Sequence, residues 1–240
     1  MVVLVTGISR GLGLEITSVL LNEGNTVYGI SRSMSPALQD LMSKYPNTLK
    51  WKSFSLDEPH EIKESLFKDW IGYGVSIDGF VNNAAVAYDD IVTNMDIDRL
   101  DEMYRVNVYS PMLMTKYVIR NMLLHNKKGS IVHISSISVH TGYKGLAMYA
   151  STKGALEAFS KNVAREWGRL SIRSNCIVSG FMQTEMSSSL TNEQLQKIFS
   201  RTSLKRATDI RSVAETCAFL LSQGAESITG QNIHVDAGTI

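Results

Sequence analysis

The strongest constraint on the fold is a repeated alternation of short β-branched runs with longer stretches of helical periodicity. The short runs predict strands at Val2–Thr6, Thr26–Ser31, Leu49–Ser55, Ile77–Val81, Ser130–Ser135, Ile172–Val178 and Asn232–Val235. Helical patterns separate them, at 11–23, 35–45, 58–71, 96–125, 149–168 and 209–222. Apolar positions within the runs are nearly continuous, which is typical of parallel strands buried on both faces. The sequence therefore predicts an α/β fold with a doubly wound parallel sheet of about seven strands and helices on both faces.

Nothing along the 240 residues divides the chain into separate domains. No linker, composition shift or repeat interrupts it, and it contains only four prolines. We therefore expect a single domain over residues 1–240. The 24 Lys and Arg residues against 23 Asp and Glu leave a net charge of +1, which gives no electrostatic case for binding nucleic acid or an anionic membrane surface.

The cysteines and the N-terminus predict a protein of a reducing compartment. Cys176 and Cys217 have neither CxxC spacing nor a neighbouring His cluster, so we expect reduced, buried thiols and no metal site. The N-terminus lacks the basic region and the longer apolar stretch of a signal peptide. No apolar run approaches the roughly 20 residues that cross a bilayer. The expectation is a cytoplasmic protein without a membrane span.

A glycine-rich turn follows the first predicted strand and opens a helix. Gly7, Gly11 and Gly13 have the spacing G-x-x-x-G-x-G. Glycines allow a sharp turn and a close approach of the backbone to a pyrophosphate, and the N–H groups of a helix N-terminus attract that anion. The turn therefore predicts a dinucleotide site at the carboxyl edge of the sheet.

The end of the second predicted strand favours a phosphorylated ribose. A carboxylate commonly stands at this point when the ribose 2′-hydroxyl is unmodified. Here the strand ends in Ser31 and Arg32, and Arg10 lies within the glycine turn. Guanidinium groups match the oxygens of a 2′-phosphate, which a carboxylate would repel. NADPH/NADP+ is therefore the expected cofactor, ahead of NADH.

A tyrosine and a lysine four residues apart begin a later predicted helix. The spacing of Tyr149 and Lys153 places the phenol and the ammonium on one helical face. A phenol has a pKa of about 10, and a nearby positive charge lowers it towards the pH at which acid–base catalysis works. Ser135 and Ser136 place hydroxyl groups at the end of the fifth strand, near the same edge of the sheet.

Together these motifs resemble the short-chain dehydrogenase/reductase family. TGxxxGxG, the NNAx motif at 82–85, an asparagine in the middle helix, a serine and YxxxK occur in the family's order. The resemblance runs to the terminal stretch at 228–238 and is greatest to the bacterial 3-oxoacyl-[acyl-carrier-protein] reductase branch. It implies a Rossmann-type fold and an NADP-dependent oxidoreductase that acts on CH–OH or C=O groups.

The resemblance implies roles for four catalytic residues. Tyr149 would protonate the carbonyl oxygen during reduction, while Lys153 would lower the pKa of Tyr149 and hydrogen-bond the nicotinamide ribose. Ser136, thirteen residues before the tyrosine, would hydrogen-bond the substrate carbonyl, and by this count Ser135 is the weaker candidate. Asn107 would hold a helix opening through which a water links Lys153 to solvent.

The resemblance also assigns the cofactor contacts. They are Gly7, Ser9, Arg10, Gly11, Leu12, Gly13, Ser31, Arg32, Ser55, Leu56, Asn83, Ala84, Ala85, Tyr149, Lys153, Gly180, Phe181, Met182 and Thr184. The chain departs from the family's usual pattern at three positions. Ala85 replaces a glycine, Ser55 replaces an aspartate near adenine, and Ser179 replaces the proline before Gly180. The segment at 187–205 resembles the family's mobile substrate lid.

A 3-oxoacyl thioester is the best substrate prediction, which would place the protein in fatty acid biosynthesis. An acyl carrier protein is acidic, so it needs basic residues near the site entrance. The candidates are Lys127, Lys128, Arg165, Arg169 and Arg173. The alternatives are an enzyme of a sugar, polyol, steroid or small ketone, and a non-enzymatic NADP-sensing regulator. A regulator has no need of Tyr149 and Lys153, and both are present.

The helix after the tyrosine carries an apolar stripe with helical spacing. The stripe is Ala155, Phe159, Val163 and Trp167, and such a stripe covers a sheet. The family also uses this helix and its neighbour to build dimers and tetramers. The resemblance therefore implies a homo-oligomer, either a dimer or a homotetramer.

Overall fold

A single sheet of parallel strands organises the computed structural model, which describes residues 1–183 and 191–240. Within these ranges the strands are β1 Val2–Thr6, β2 Thr26–Ser31, β3 Leu49–Ser53, β4 Gly79–Asn82, β5 Gly129–Ser136, β6 Ile172–Ser179 and β7 Asn232–Val235. They pair in the order 3-2-1-4-5-6-7, and every neighbouring pair is parallel. The predicted α/β fold with a parallel sheet is confirmed.

The α-helices of the described residues alternate with these strands. They are α1 Gly11–Asn22, α2 Pro36–Lys44, α3 Ile97–Tyr104, α4 Ser110–Leu124, α5 Ser138–Thr141, α6 Ala147–Trp167, α7 Asn192–Arg201 and α8 Ile210–Leu221. Two further segments, Ile62–Ile71 and Arg105–Tyr109, are π-helical. None of the helices in the described ranges is both long and apolar enough to cross a membrane.

Helices cover both faces of the sheet, because the inner strands β1, β4, β5 and β6 are buried on both faces. On one face, Ile16 of α1 and Val213 of α8 pack in a cluster with Val5 of β1. On the other face, Val118 of α4 packs in a second cluster with Phe80 of β4. Burial of apolar surface contributes a free energy of about 25 cal/mol per Å² and stabilises the packing of the helices on the sheet.

Several helices begin at side-chain caps. The Ser35 hydroxyl accepts a hydrogen bond from the Leu38 N–H at 3.1 Å, and Pro36 occupies the first position of α2. Asp96 and Asp209 accept backbone N–H groups at the starts of α3 and α8. Each cap satisfies donors that the first turn of a helix leaves unpaired.

The structure differs from the sequence prediction mainly at element ends and in the middle helix. The helix predicted over 96–125 is two helices, α3 and α4, joined by the π-helical turn Arg105–Tyr109. The third strand ends at Ser53, and the fourth is Gly79–Asn82. The sequence prediction missed α5 and α7, and α7 lies within the segment expected to be a lid.

The strand order reverses beside β1. The chain moves outwards from β1 to β2 and β3, and then returns to place β4 on the other side of β1. In open α/β sheets, ligands bind outside the carboxyl ends of the strands at such a reversal. The turn after β1 and the segment after β4 meet at this point.

Candidate active site

A cavity of about 790 Å³ opens at the carboxyl edge of the sheet, beside this reversal. Most of the predicted cofactor contacts line it, namely Gly7, Ser9, Arg10, Gly11, Leu12, Gly13, Ser31, Arg32, Ser55, Leu56, Asn83, Ala84, Ala85, Tyr149, Lys153 and Met182. Gly180 and Phe181 are outside its lining. Thr184 lies outside the described residues.

The glycine turn leaves no room for side chains at its closest points. Gly7 has a φ of +76°, and a Cβ on Gly13 would lie 2.1 Å from the Gly7 carbonyl oxygen. Asn83 Nδ2 donates to the carbonyls of Thr6, at 2.9 Å, and Gly7, at 3.3 Å. The buried Thr6 hydroxyl accepts the N–H groups of Asn83 and Ala84, each at 3.0 Å. These bonds fix the turn to the end of β4, and sequence reasoning missed the part played by Thr6.

The N-terminus of α1 has no side-chain cap, unlike the starts of α2, α3 and α8. Its first residues, Gly11, Leu12 and Gly13, line the cavity. The N–H groups and the positive dipole end of this helix are therefore available to an anion in the cavity. A pyrophosphate fits both this donor set and the space left by the glycines.

The end of β2 presents hydroxyl and guanidinium groups to the cavity. Arg32 is exposed on the cavity wall beside Ser31. The Ser31 hydroxyl accepts from Trp51 Nε1 at 2.8 Å and donates to the Ser33 carbonyl at 3.0 Å. The Ser35 hydroxyl donates to the Ser9 carbonyl, which joins this end of the cavity to the glycine turn.

A carboxylate missing from the predicted contacts lines the cavity after β3. Asp57 lies two residues beyond Ser55, and its Oδ1 accepts from Arg105 Nε at 2.7 Å. The Ser55 hydroxyl accepts the Asp57 N–H at 3.3 Å. The sequence prediction placed Ser55 and Leu56 here but overlooked Asp57, although an acidic residue so close to the strand end was a visible signal.

Ala85 takes the place of the family's usual glycine without backbone strain. Among the described residues other than glycine, positive φ occurs at Asn126, Ser171, Lys205 and Ala237. Ala85 is therefore outside the left-handed region that favours glycine. Ala85 is one of the residues that line the cavity.

Tyr149 and Lys153 lie on the cavity wall from the first turns of α6. Lys153 is only 2% exposed. Its Nζ donates to the Ile134 carbonyl at 2.9 Å and lies 5.6 Å from the centroid of the Tyr149 ring. The phenol and the ammonium thus face the same end of the cavity, as their spacing predicted.

The pKa of Tyr149 moves opposite to the expectation from sequence. Burial, and secondarily the charge of Asp89, raises the pKa of Tyr149 to about 12. Burial also lowers the pKa of Lys153 to about 8. Desolvation disfavours the charged form of each group, and in the protein alone it outweighs the attraction that would lower the pKa of the phenol. Tyr149 is therefore a protonated phenol at neutral pH, and Lys153 is an ammonium.

Asn107 is fully buried in the π-helical turn between α3 and α4. Its Oδ1 accepts the Val86 N–H at 2.9 Å, and its Nδ2 donates to the Val86 carbonyl at 2.8 Å. The same Nδ2 donates to the Thr152 hydroxyl at 3.1 Å. Asn107 thus ties the segment after β4 to the helical turn that carries Tyr149 and Lys153, and π-helical turns are frequent at functional sites.

The two serines at the end of β5 have different partners. The buried Ser135 donates its hydroxyl to the Glu157 carboxylate. The Ser136 oxygen accepts the N–H of Ser138 at 3.2 Å and the hydroxyl of Ser138 at 3.0 Å. The proton of Ser136 is therefore not needed for these contacts. Of the two serines, Ser135 lines the cavity and Ser136 does not, so the choice of Ser136 as the catalytic serine stays a prediction.

Gly180 is required by packing. A Cβ on it would lie 2.2 Å from Thr208 Oγ1 and 2.6 Å from the Asp236 Cα. Its N–H donates to the Val235 carbonyl at 2.9 Å. Ser179 and Met182, on either side of Gly180 and Phe181, line the cavity instead.

The basic residues expected near the site entrance lie at the other edge of the sheet. Lys127 and Lys128 directly precede β5, and Arg169 precedes β6, so all three are at the amino ends of parallel strands. Lys127 pairs with Asp78 at 3.8 Å. The expectation that this patch flanks the entrance on its own chain is therefore wrong.

Arg173 has a structural role in place of the expected surface role. Its Nη1 donates to the Leu220 carbonyl at 2.7 Å, and its Nη2 donates to the Ser222 carbonyl at 3.0 Å. The half-buried guanidinium therefore covers the C-terminus of α8, where carbonyl groups lack partners within the helix.

Comparison with known proteins agrees with this geometry. Residues 7–239 match the family model described as enoyl-(acyl carrier protein) reductase. The chain belongs to the short-chain dehydrogenase/reductase family. It is therefore an NAD(P)-dependent oxidoreductase acting on CH–OH or C=O groups, and the glycine turn and Tyr149–Lys153 are this family's motifs in this chain.

Curated relatives and solved structures match nearly the whole short-chain dehydrogenase/reductase chain. It is 34% identical over 239 residues to 3-oxoacyl-[acyl-carrier-protein] reductase FabG of Buchnera aphidicola, covering 99% of this chain and 96% of the relative. It is 32% identical over 238 residues to the protein of the same name from Aquifex aeolicus, covering 98% and 95%. A 4-hydroxyisoleucine dehydrogenase complexed with NADH superposes with a TM-score of 0.93 at 25% identity, covering 99% and 98%.

One further structure supports the fold alone. It is an Agrobacterium tumefaciens protein with bound NADP, provisionally assigned as a 2-deoxy-d-gluconate 3-dehydrogenase. It superposes with a TM-score of 0.91 at 24% identity, covering 99% of this chain and 95% of the neighbour. This chain therefore shares its fold with solved proteins whose names give different substrates, one with NADP bound and one with NADH bound.

Proposed function

We propose that the protein is an NADPH-dependent reductase that converts a carbonyl to an alcohol. The observation that carries the proposal is the buried Lys153 ammonium beside Tyr149, in the wall of a cavity whose other wall is the uncapped start of α1. An anion-binding turn and a proton donor at one cavity are the two parts that such a reduction requires. A cofactor-sensing regulator needs only the first part.

The preference for the 2′-phosphate rests on the end of β2. Ser31 and Arg32 line the cavity there, and Arg10 lines it from the glycine turn. The cavity lining also includes two carboxylates, but neither is at the end of β2: Asp57 follows β3, and Glu102 lies in α3. A guanidinium stabilises a phosphate through charge-assisted hydrogen bonds. Arg32 is therefore the first candidate to bind the 2′-phosphate of the cofactor.

Each catalytic side chain has a distinct task in the proposed reaction. When bound, the nicotinamide cofactor supplies the hydride. Tyr149, protonated at neutral pH, gives its phenolic proton to the carbonyl oxygen, and the Lys153 ammonium stabilises the resulting phenolate. Ser136 keeps its proton, donates a hydrogen bond to the same oxygen and so stabilises its developing negative charge. Asn107 holds the turn that carries Tyr149 and Lys153.

A 3-oxoacyl thioester is the proposed substrate class. The curated relatives named 3-oxoacyl-[acyl-carrier-protein] reductase support it, because the chain aligns with them over nearly their full length at 31–34% identity. Because the basic patch lies away from the cavity of its own chain, the proposal takes the acyl thioester as the group that this site recognises. An acyl carrier protein, a role in fatty acid biosynthesis and a cytoplasmic location are further parts of the proposal.

Steady-state assays with acetoacetyl-CoA test the proposal. We expect NADPH consumption with this thioester, and at least tenfold lower kcat/KM with NADH. If the protein turns over a sugar, polyol, steroid or small ketone but not the thioester, the proposed oxidoreductase activity holds and the proposed substrate class is wrong. Tight NADPH binding without turnover of any of these compounds would favour the regulator.

A further inference from the structure

Glu157 is a buried carboxylate that the proposed reaction does not use. It lies on α6, one helical turn beyond Lys153, and is 7% exposed. It does not line the cavity. A buried carboxylate is costly unless hydrogen bonds compensate its desolvation, so its partners must be arranged around it in the native state.

Three side chains from three elements surround this carboxylate. Ser135 of β5 donates to Oε1, and Asn232 of β7 donates to Oε2 at 2.7 Å. His140 Nε2 of α5 lies 3.2 Å from Oε1 and 3.1 Å from Oε2. Because a carboxylate only accepts, Nε2 carries the proton in this contact. We call Ser135, His140, Glu157 and Asn232 the Glu157 network.

Two members of the Glu157 network bracket Ser136 along the chain. Ser135 directly precedes it, and His140 follows in the short helix α5. Between them, Ser138 gives both its N–H and its hydroxyl to the Ser136 oxygen. The Glu157 carboxylate therefore holds the segment 135–140 from both sides, while Ser138 fixes the oxygen of Ser136.

We propose that Glu157 is a positioning residue for Ser136, holding the hydroxyl in the orientation that stabilises the substrate oxygen. The inference rests on the proposed reductase function. It assigns to Glu157 no contact with substrate or cofactor. Because misplacement of a catalytic group by about 1 Å can cost about 100-fold in rate, a loosened segment 135–140 should lower kcat more than it weakens cofactor binding.

Glu157→Gln tests the proposal, with Glu166→Gln as the matched control. The amide replaces one acceptor oxygen by a donor nitrogen, which then faces Ser135, His140 or Asn232, all of which donate. Glu166 lies on the same helix and is exposed, so its substitution makes the same chemical change outside the network. For Glu157→Gln we expect kcat to fall about tenfold or more, with the Kd for NADPH within twofold of native and a cooperative thermal transition.

The decisive comparison is made in a Ser136→Ala background. If Glu157 acts through Ser136, adding Glu157→Gln to Ser136→Ala produces no further loss of kcat, because residues that act as a unit are non-additive. An equal fold-loss in both backgrounds would show that Glu157 acts elsewhere and would overturn the proposal. So would a kcat for Glu157→Gln equal to that of Glu166→Gln. Ser135→Ala, which removes one donor only, provides a milder variant with the same expected pattern.

Hydrogen exchange separates this inference from the proposed function. Glu157→Gln should speed amide exchange in the segment 135–141 relative to Glu166→Gln, because local contacts set local opening free energies. If the native protein reduces no carbonyl, the reductase proposal fails, and the exchange result still decides whether Glu157 holds this segment. Equal exchange in the two variants would overturn the positioning role.

Discussion

Lys153 illustrates how one buried charge sets the chemistry of the site. Its ammonium is desolvated, donates to a main-chain carbonyl of β5 and lies beside the Tyr149 ring. Burial acts on both side chains, raising the pKa of Tyr149 and lowering that of Lys153. The pair therefore begins a reduction with a protonated phenol and a nearby cation, which is the state that a proton donor requires.

Removing the Tyr149 hydroxyl should abolish the proton donor and leave the cofactor site intact. We expect Tyr149→Phe to lower kcat by about 100-fold or more, since general acid catalysis contributes about 10²–10⁴. NADPH affinity, measured by fluorescence titration, should stay within twofold. Tyr73→Phe, at an exposed position, is the control. Native turnover in Tyr149→Phe would remove this residue from the mechanism.

Reversing the charge of Arg32 should change cofactor preference. Loss of charge-assisted hydrogen bonds worth about 1.5–3 kcal/mol corresponds to about a 10- to 100-fold fall in the ratio of kcat/KM for NADPH to that for NADH in Arg32→Asp. Arg169→Asp makes the same change at the opposite edge of the sheet and should leave the ratio unaltered. An unchanged ratio in Arg32→Asp would mean that another residue reads the phosphate.

The lowered pKa of Lys153 predicts how activity depends on pH. The ammonium is present below about pH 8 and is lost above it, so kcat/KM for reduction should fall as the pH rises through about 8. Stability should change in the other direction. Between about 8 and the ordinary value of 10.5 the unfolded chain binds the extra proton, so the free energy of unfolding rises with pH in this window.

Activity and urea denaturation measured from about pH 6 to 9.5 separate these effects. Falling activity together with unchanged or rising stability would assign the loss to Lys153. A flat activity profile through pH 9.5 would contradict a required ammonium. Falling stability over the same range would assign the loss to unfolding instead.

At the scale of elements, the middle helix shows where sequence reasoning stops. Periodicity predicted one helix over 96–125, and Asn107 was expected to hold an opening in it. At that place the structure has the π-helical turn Arg105–Tyr109, and the Asn107 side chain pairs with both polar groups of the Val86 backbone. A turn with one extra residue leaves almost no trace in apolar spacing, so only the polar residue inside the helix signalled it.

Arg173 caps the C-terminus of α8, a structural role that its positive charge alone does not indicate in the sequence. Its two short bonds satisfy the carbonyls of Leu220 and Ser222. We expect Arg173→Met to lower the free energy of unfolding by about 1–3 kcal/mol, measured by urea denaturation. The exposed Arg169→Met should change it by less than about 0.5 kcal/mol. Equal values for the two variants would show that the cap contributes nothing measurable.

At the scale of the whole molecule, the sequence predicted the seven strands found in residues 1–183 and 191–240, and the edge of the sheet at which the cavity opens. Continuous apolar runs signal strands directly, and parallel strands bring their carboxyl ends together. The Glu157 network was invisible, because it joins Ser135, His140, Glu157 and Asn232 across long sequence separations. Each member is a polar residue without a recognisable motif around it, so only the structure shows that the four side chains are in contact.

We predict that the protein assembles as a dimer or tetramer. The apolar stripe of α6 packs within the chain, since Val163 is buried in the core and the partly buried Phe159 and Trp167 pack against it. On α4 and the turn before it, Leu124 is 63% exposed and Tyr109 is 51% exposed, so this surface is the candidate contact. Sedimentation velocity at micromolar concentration should show two or four chains per particle. A monomer would contradict the prediction.

The crowding around Gly13 also limits how this sequence can vary. Any single-base change that replaces glycine by another amino acid introduces a side chain, and a Cβ at this point overlaps the Gly7 carbonyl. Gly74 and Gly168 have no atom within 4 Å of the corresponding position. Identical letters therefore differ in mutational tolerance, and a random library of this chain should retain variants at 74 and 168 while losing every one at 13.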